Sequence, residues 1–202
     1  MKMPKYGFVT FVLLLIANVL SAQEWVLNKE KNGITVYTRE SPSSPIKEFR
    51  AVTTMNVGVE KLAEVLQDFE NYALWYDRCE KTRLISGDAG GAYVYYTEVS
   101  LPFPFSHRDV VSSMTLTKKP YGILLKIEEM EGVVPEKEGI VRMSVAKGHW
   151  KLTRLSENKT KLEHQFRGDP AGNIPGGIAN MFLVAGPINT LTKLKGYLEA
   201  RN

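Results

Sequence analysis

The feature that most constrains this chain lies at its C-terminal end, where residues 172–202 read GNIPGGIANMFLVAGPINTLTKLKGYLEARN. Asn173 stands as an N-cap and Pro175 suits a first helical turn. Behind them Ile174, Ile178, Met181, Phe182, Ala185, Ile188, Leu191, Leu194 and Leu198 recur at helical spacing, so one side of a long helix is apolar. Such a side must be covered by another layer of structure. Gly186-Pro187 falls in its middle, where a proline removes a backbone hydrogen bond and crowds the preceding turn, so a kink is expected there.

The covering layer is written upstream in a different period. ITVYTRE and IKEFRAVTTMNV alternate and are rich in β-branched and aromatic residues, which predicts a hairpin. From Gly58 to Phe69 the apolar residues Val59, Leu62, Val65, Leu66 and Phe69 form a helical stripe, and the aromatics Tyr72, Trp75 and Tyr76 follow, expected to seal that helix against the sheet rather than to stack on a ligand. TRLISG, AYVYYTEVSL, DVVSSMTLTKK, GILLKIEEM and GIVRMSVAKGHWKLTRL then read as strands, the last broken at Lys147-Gly148. In KTKLEHQFRG, Leu162, His164 and Phe166 fall on one face and Lys161, Glu163, Gln165 and Arg167 on the other. Short turns imply antiparallel order. The sum is an α+β domain of the helix-grip type, a curved antiparallel sheet wrapped around the long C-terminal helix.

Residues 1–22, MKMPKYGFVTFVLLLIANVLSA, have Lys2 and Lys5, an apolar run from Tyr6 to Val19 and a small Ser21-Ala22 pair, the layout of a secretory signal. The expectation is an exported chain, periplasmic or secreted, whose residues 23–202 form a single domain. Without that segment 24 basic residues face 22 acidic ones. Nearly neutral charge, with lysines scattered rather than striped, gives no footprint for nucleic acid. Cys79 is the only cysteine, so stability must come from packing rather than from a disulfide. His107, His149 and His164 have no cysteine or carboxylate partners at metal-ligand spacing, and no cofactor motif is present. The His-Arg-Asp triplet at 107–109 has Met114 where a kinase catalytic loop needs a magnesium-binding Asn.

Four stretches in order, PFPFSHRD (102–109), VPEKEGIVR (134–142), GHW (148–150) and KTKLEHQFRGDPAGNIP (159–175), resemble the START family, the steroidogenic-acute-regulatory-related lipid transfer domain. The resemblance runs over the whole mature chain and implies the helix-grip (START/Bet v 1-like) fold with one lipid in a tunnel between sheet and C-terminal helix. It also implies that Arg108 and Asp109 brace the entry of a proline-stiffened loop into a strand, and that Trp150, Asp169 and Pro170 are structural. The acidic side chain that some sterol-binding members place inside the tunnel falls near Glu98, and its usual arginine partner falls on Met114. Glu98 is then either buried, with His164 as a candidate donor, or turned to solvent behind an inner face of Tyr95, Thr97 and Val99.

The tunnel lining expected from these patterns is Val110, Ser112, Met114 and Leu116 on one strand, Leu125 and Ile127 on the next, His164 and Phe166 on the last, and Ile178, Met181, Phe182 and Ala185 on the helix. Methionines 114, 143 and 181 suit an adaptable wall. The expected function is non-enzymatic carriage of a lipid or other hydrophobic small molecule by a bacterial-type monomer, without cofactor, with transient membrane contact. Two alternatives remain: a cyclase- or hydrolase-type enzyme with Glu98 and His164 as its acid–base pair, and a ligand-sensing interaction module.

Overall fold

The structure, a computed structural model, describes residues 24–42, 44–88 and 91–201. The expected signal segment therefore lies outside the described residues. Ten strands form one sheet: β1 (Val26–Lys31), β2 (Ile34–Ser41), β3 (Ser44–Met55), β4 (Cys79–Gly87), β5 (Ala92–Val99), β6 (His107–Lys119), β7 (Gly122–Glu129), β8 (Ile140–Arg142), β9 (Val145–Ser156) and β10 (Lys159–Asp169). Their order is β1-β2-β3-β10-β9-β7-β6-β5-β4, antiparallel throughout, with β8 added in parallel beside the start of β6. The helices are α1 (Val59–Gln67), a short α2 (Tyr72–Trp75) reached through a 3₁₀ turn at Phe69–Asn71, and α3 (Gly176–Glu199).

Three boundaries differ from the sequence expectation. β1 was not anticipated, yet Asn32-Gly33 closes it onto β2 with both residues in the left-handed region (φ 55° and 66°), the geometry of a two-residue hairpin turn. β9 is not broken at Lys147-Gly148; it runs through both, and the break falls between β8 and β9 at Met143-Ser144. Gly148 marks a close approach, since a Cβ there would lie 2.3 Å from the Gln165 carbonyl oxygen of β10. The last helix begins later than Asn173: Pro175 is its N-cap, and the Pro175 carbonyl accepts the Ile178 and Ala179 amides. The chain first turns through Ala171 and Gly172 in left-handed conformations, so Asn173 stays in the connection.

Packing follows the predicted periods. Val59, Leu62, Ala63, Val65 and Leu66 of α1 are buried against β7, β9 and β10. α3 crosses β1, β2 and β3 and touches α2. Its second half supplies Ile188, Leu191, Leu194 and Leu198 to the core with Ile34, Val36, Ala51 and Leu162. Each such aliphatic side chain, fully buried, contributes about 1.5–3 kcal/mol. The helix continues on both sides of Pro187. Its first half is different: Met181 is 70% exposed and Ala185 is also exposed, so the apolar side read from the sequence is only partly covered there.

Candidate functional site

Beneath that first half lies a cavity of about 350 Å³, walled by β3, β5, β6, β7, β9 and β10 and roofed by α3. The alternation of each strand fixes which residues face it. On β5 these are Tyr95, Thr97 and Val99, and on β6 Val110 and Ser112, which pair across the ladder with Thr97 and Tyr95. Ile127, Trp150, His164, Phe166 and Phe49 continue the wall, and Phe182, Leu183 and Pro187 close it from above.

Several expected lining residues stand elsewhere. Met114 and Leu125 are fully buried in the packed core one strand step below the cavity, and Leu116 packs against that core. Ile178 is half-buried and faces away from the cavity. Met181 reaches the cavity only at its rim, mostly in solvent. Glu98 takes the solvent-side alternative: its carboxylate accepts from Lys137 Nζ at 3.1 Å and from the Tyr96 hydroxyl at 3.1 Å, outside the cavity wall. The strand's period decided it, because Glu98 alternates with Thr97. Glu98 and His164 consequently stand four strand positions apart on opposite faces of the sheet, and the structure does not assemble them as an acid–base pair. Sequence reasoning set Tyr72 and Tyr76 down as helix-to-sheet seals, but both also line the cavity, and Asp77, Arg78, Asn189 and Thr190 join them at its α2 end.

Arg108 and Asp109 do not pair with each other. The Arg108 guanidinium donates to the carbonyls of Ser106 (2.5 Å), Pro170 (2.6 Å), Ala171 (3.2 Å) and His107 (3.4 Å), tying the 101–106 loop to the connection into α3. Burial holds its pKa below the usual arginine range. Asp169 Oδ1 accepts the Ala171 amide at 2.9 Å and shapes the same connection. Asp109, 1% exposed in its side chain, is held by Arg142 through two bonds of 2.6 and 3.2 Å.

Charge in the wall is confined to Asp77 and Arg78 at the α2 end and to Arg108 and Asp109, all of which have protein partners; the tyrosines and His164 are uncharged. Burial pushes the Tyr76 phenol up to about 12 and raises Tyr72 and Tyr95 as well, so all three stay protonated. His164 is 2% exposed and stacks on Trp150 with ring centroids 3.5 Å apart. Burial, and secondarily His149, hold its pKa well below the ordinary histidine value, so its ring is neutral. Burial also raises the Cys79 thiol, leaving it a poor nucleophile. Among the described residues no cluster of His, Cys, Asp and Glu could hold a metal, and no helix is long and apolar enough to cross a membrane. A roofed cavity with a mostly apolar wall can enclose an apolar molecule.

Comparison with known proteins places this geometry. The START domain profile matches residues 13–199. An uncharacterised protein of Pseudomonas aeruginosa is 29% identical over 92% of this chain and 92% of its own length. The rat phosphatidylcholine transfer protein is 25% identical over 80% of this chain and 77% of its own. The crystal structure of a STAR-related lipid transfer protein from Xanthomonas axonopodis superposes with a TM-score of 0.80 at 30% identity, covering 87% of this chain and 98% of that one. The fold alone extends further, to an aromatase/cyclase from Streptomyces sp. R1128 with a TM-score of 0.56 at 19% identity.

Proposed function

The chain belongs to the START domain family, and from that premise we propose that it is an exported lipid-binding or lipid-transfer protein that holds one hydrophobic molecule between the sheet and α3. The observation that carries the reading is the roofed cavity, whose wall is mostly apolar and whose charged members, Asp77, Arg78, Arg108 and Asp109, are engaged by protein partners. A sixteen-carbon chain transferred from a membrane into water loses about 13 kcal/mol, at about 0.8 kcal/mol per methylene. An enclosed apolar wall removes most of that cost.

In this reading α3 and the 101–106 loop, where Phe103 is 97% exposed, make the transient membrane contact, and the protein acts as a monomer in the periplasm or outside the cell. The signal-like layout of residues 1–22 supports export. The experiment has two parts. Purified protein should speed transfer of a fluorescent lipid between vesicles, and Ala185→Trp, which fills the roof, should abolish the effect. N-terminal sequencing of protein from the exported fraction should begin at Gln23; full-length chain confined to the cytoplasm would remove the export half of the proposal.

A further inference from the structure

The mouth of the cavity holds a cation whose hydrogen-bonding capacity the protein leaves unused. After α2 ends at Trp75 the chain turns into β4 through Arg78, which sits in the left-handed region at φ 58°. An arginine keeps that conformation only when its surroundings hold it. Here Ser100 does so, donating from its amide (2.9 Å) and its hydroxyl (3.4 Å) to the Arg78 carbonyl. The Arg78 side chain lines the cavity and is also 42% exposed, which places it at the opening.

The other charges of the wall are already matched by hydrogen bonds. Arg108 donates to four backbone carbonyls, and Asp109 is held by Arg142. Asp77 accepts from Lys193 Nζ at 2.9 Å and from Asn189 Nδ2 at 3.2 Å. Arg78 differs: its Nε lies 3.9 Å from Asp77 Oδ2, beyond hydrogen-bond reach, and its guanidinium stands over the Phe182 ring at 5.0 Å. Among the described residues none accepts a hydrogen bond from this guanidinium, whose planar fork of N–H donors matches the oxygens of a carboxylate or phosphate. Lys193 offsets Asp77, so the mouth carries one positive charge in excess. A cationic head would find no open carboxylate there. An anionic head would meet an open donor fork, and its chain the apolar wall beyond. The cavity volume, about 350 Å³, is at the small end of the about 300–1,000 Å³ of ligand pockets, which suits one chain better than two.

We propose that Arg78 is the headgroup contact of this cavity, so that the protein takes an amphiphile with an oxyanion head, a carboxylate or a phosphate, apolar end first and head held at the α2 end of the mouth. The inference rests on the lipid-carriage reading above and specifies its ligand.

The test titrates the full chain at about pH 8, where carboxylates are ionised. The probes are dodecanoate, dodecyl phosphate, 1-dodecanol and dodecyltrimethylammonium, each below its micelle-forming concentration, and inorganic phosphate. At least one of the two anionic amphiphiles should bind about fivefold or more tightly than dodecanol, and which one does identifies the head. The cationic amphiphile should bind more weakly than dodecanol, and added salt should narrow both gaps because the site opens to solvent. Arg78→Gln should bring the preferred anion down to the level of dodecanol, a loss of about fivefold or more, and leave dodecanol unchanged. Arg78→Gly, which the left-handed backbone favours, gives the same readout if Arg78→Gln does not fold. Equal binding of the anions and dodecanol, a preference that survives the substitution, or inorganic phosphate binding as tightly as dodecyl phosphate would overturn the headgroup contact and leave lipid carriage intact. Failure of all four amphiphiles to bind would overturn both.

Discussion

The two halves of α3 share one helix and one apolar stripe, but they serve different ends. From Pro187 onward, Ile188, Leu191, Leu194 and Leu198 are buried in the common core. Polar bonds reinforce them: Asp77 accepts from Lys193 Nζ at 2.9 Å and Asn189 Nδ2 at 3.2 Å, while the Asp77 amide donates to Thr190 Oγ1 at 3.1 Å. Before Pro187 the same stripe roofs a cavity. There the helix is attached through Asn180, which accepts the Lys47 amide at 3.0 Å and donates to the Pro45 carbonyl at 3.3 Å, and through the Phe182 ring under Arg78. The lesson is that burial, and not periodicity, separates the part of a helix that stabilises from the part that binds.

That contrast breaks most visibly under truncation. Leu194→Ala should lower unfolding free energy in urea by about 2–5 kcal/mol, the cost of a large-to-small change in a packed core. Ala185→Trp, at an exposed position, should change it by less than about 0.5 kcal/mol and still abolish ligand uptake. If the two variants lose comparable stability, the halves are not distinct.

A second prediction concerns His164 in the cavity wall. The folded pKa of His164 is depressed below its unfolded value because burial disfavours the charged ring. The unfolded chain therefore binds more protons, and stability is complete above about pH 6.5 and falls as pH drops below it, with a slope approaching about 1.4 kcal/mol per pH unit from this residue. His149, depressed by burial to a lesser degree, adds to the same slope. His164→Phe should flatten the dependence between about pH 6.5 and 5 in urea titrations, and an unchanged slope would mean that the ring is solvated. The smallest effect belongs to the Asn180 clip. Asn180→Ala should cost about 1 kcal/mol or less, seen as faster amide exchange at residues 178–186 with residues 190–198 unaffected.

Much of this fold is legible in the sequence because alternation and helical spacing are local. The strand periods place Thr97, Ser112, His164 and Phe166 on one face and Glu98 on the other. What stayed hidden is depth. Met114 and Leu125 have the same inward phase as Ser112 and Ile127, but the cavity ends one step above them, and that depends on how α1 and the second half of α3 fill the sheet. Met181 has the right helical phase too; its exposure follows from the helix lacking a cover there. Tyr76 was read as a seal because aromatic clusters usually are, and only its contact with the cavity reveals the second role.

The central claim is that the space under the first half of α3 is a ligand site rather than a packing defect. Native mass spectrometry of gently purified protein, followed by organic extraction, tests it most directly. The account predicts one hydrophobic molecule per chain, lost in Ala185→Trp. A ligand-free protein that also takes up no added lipid would contradict it.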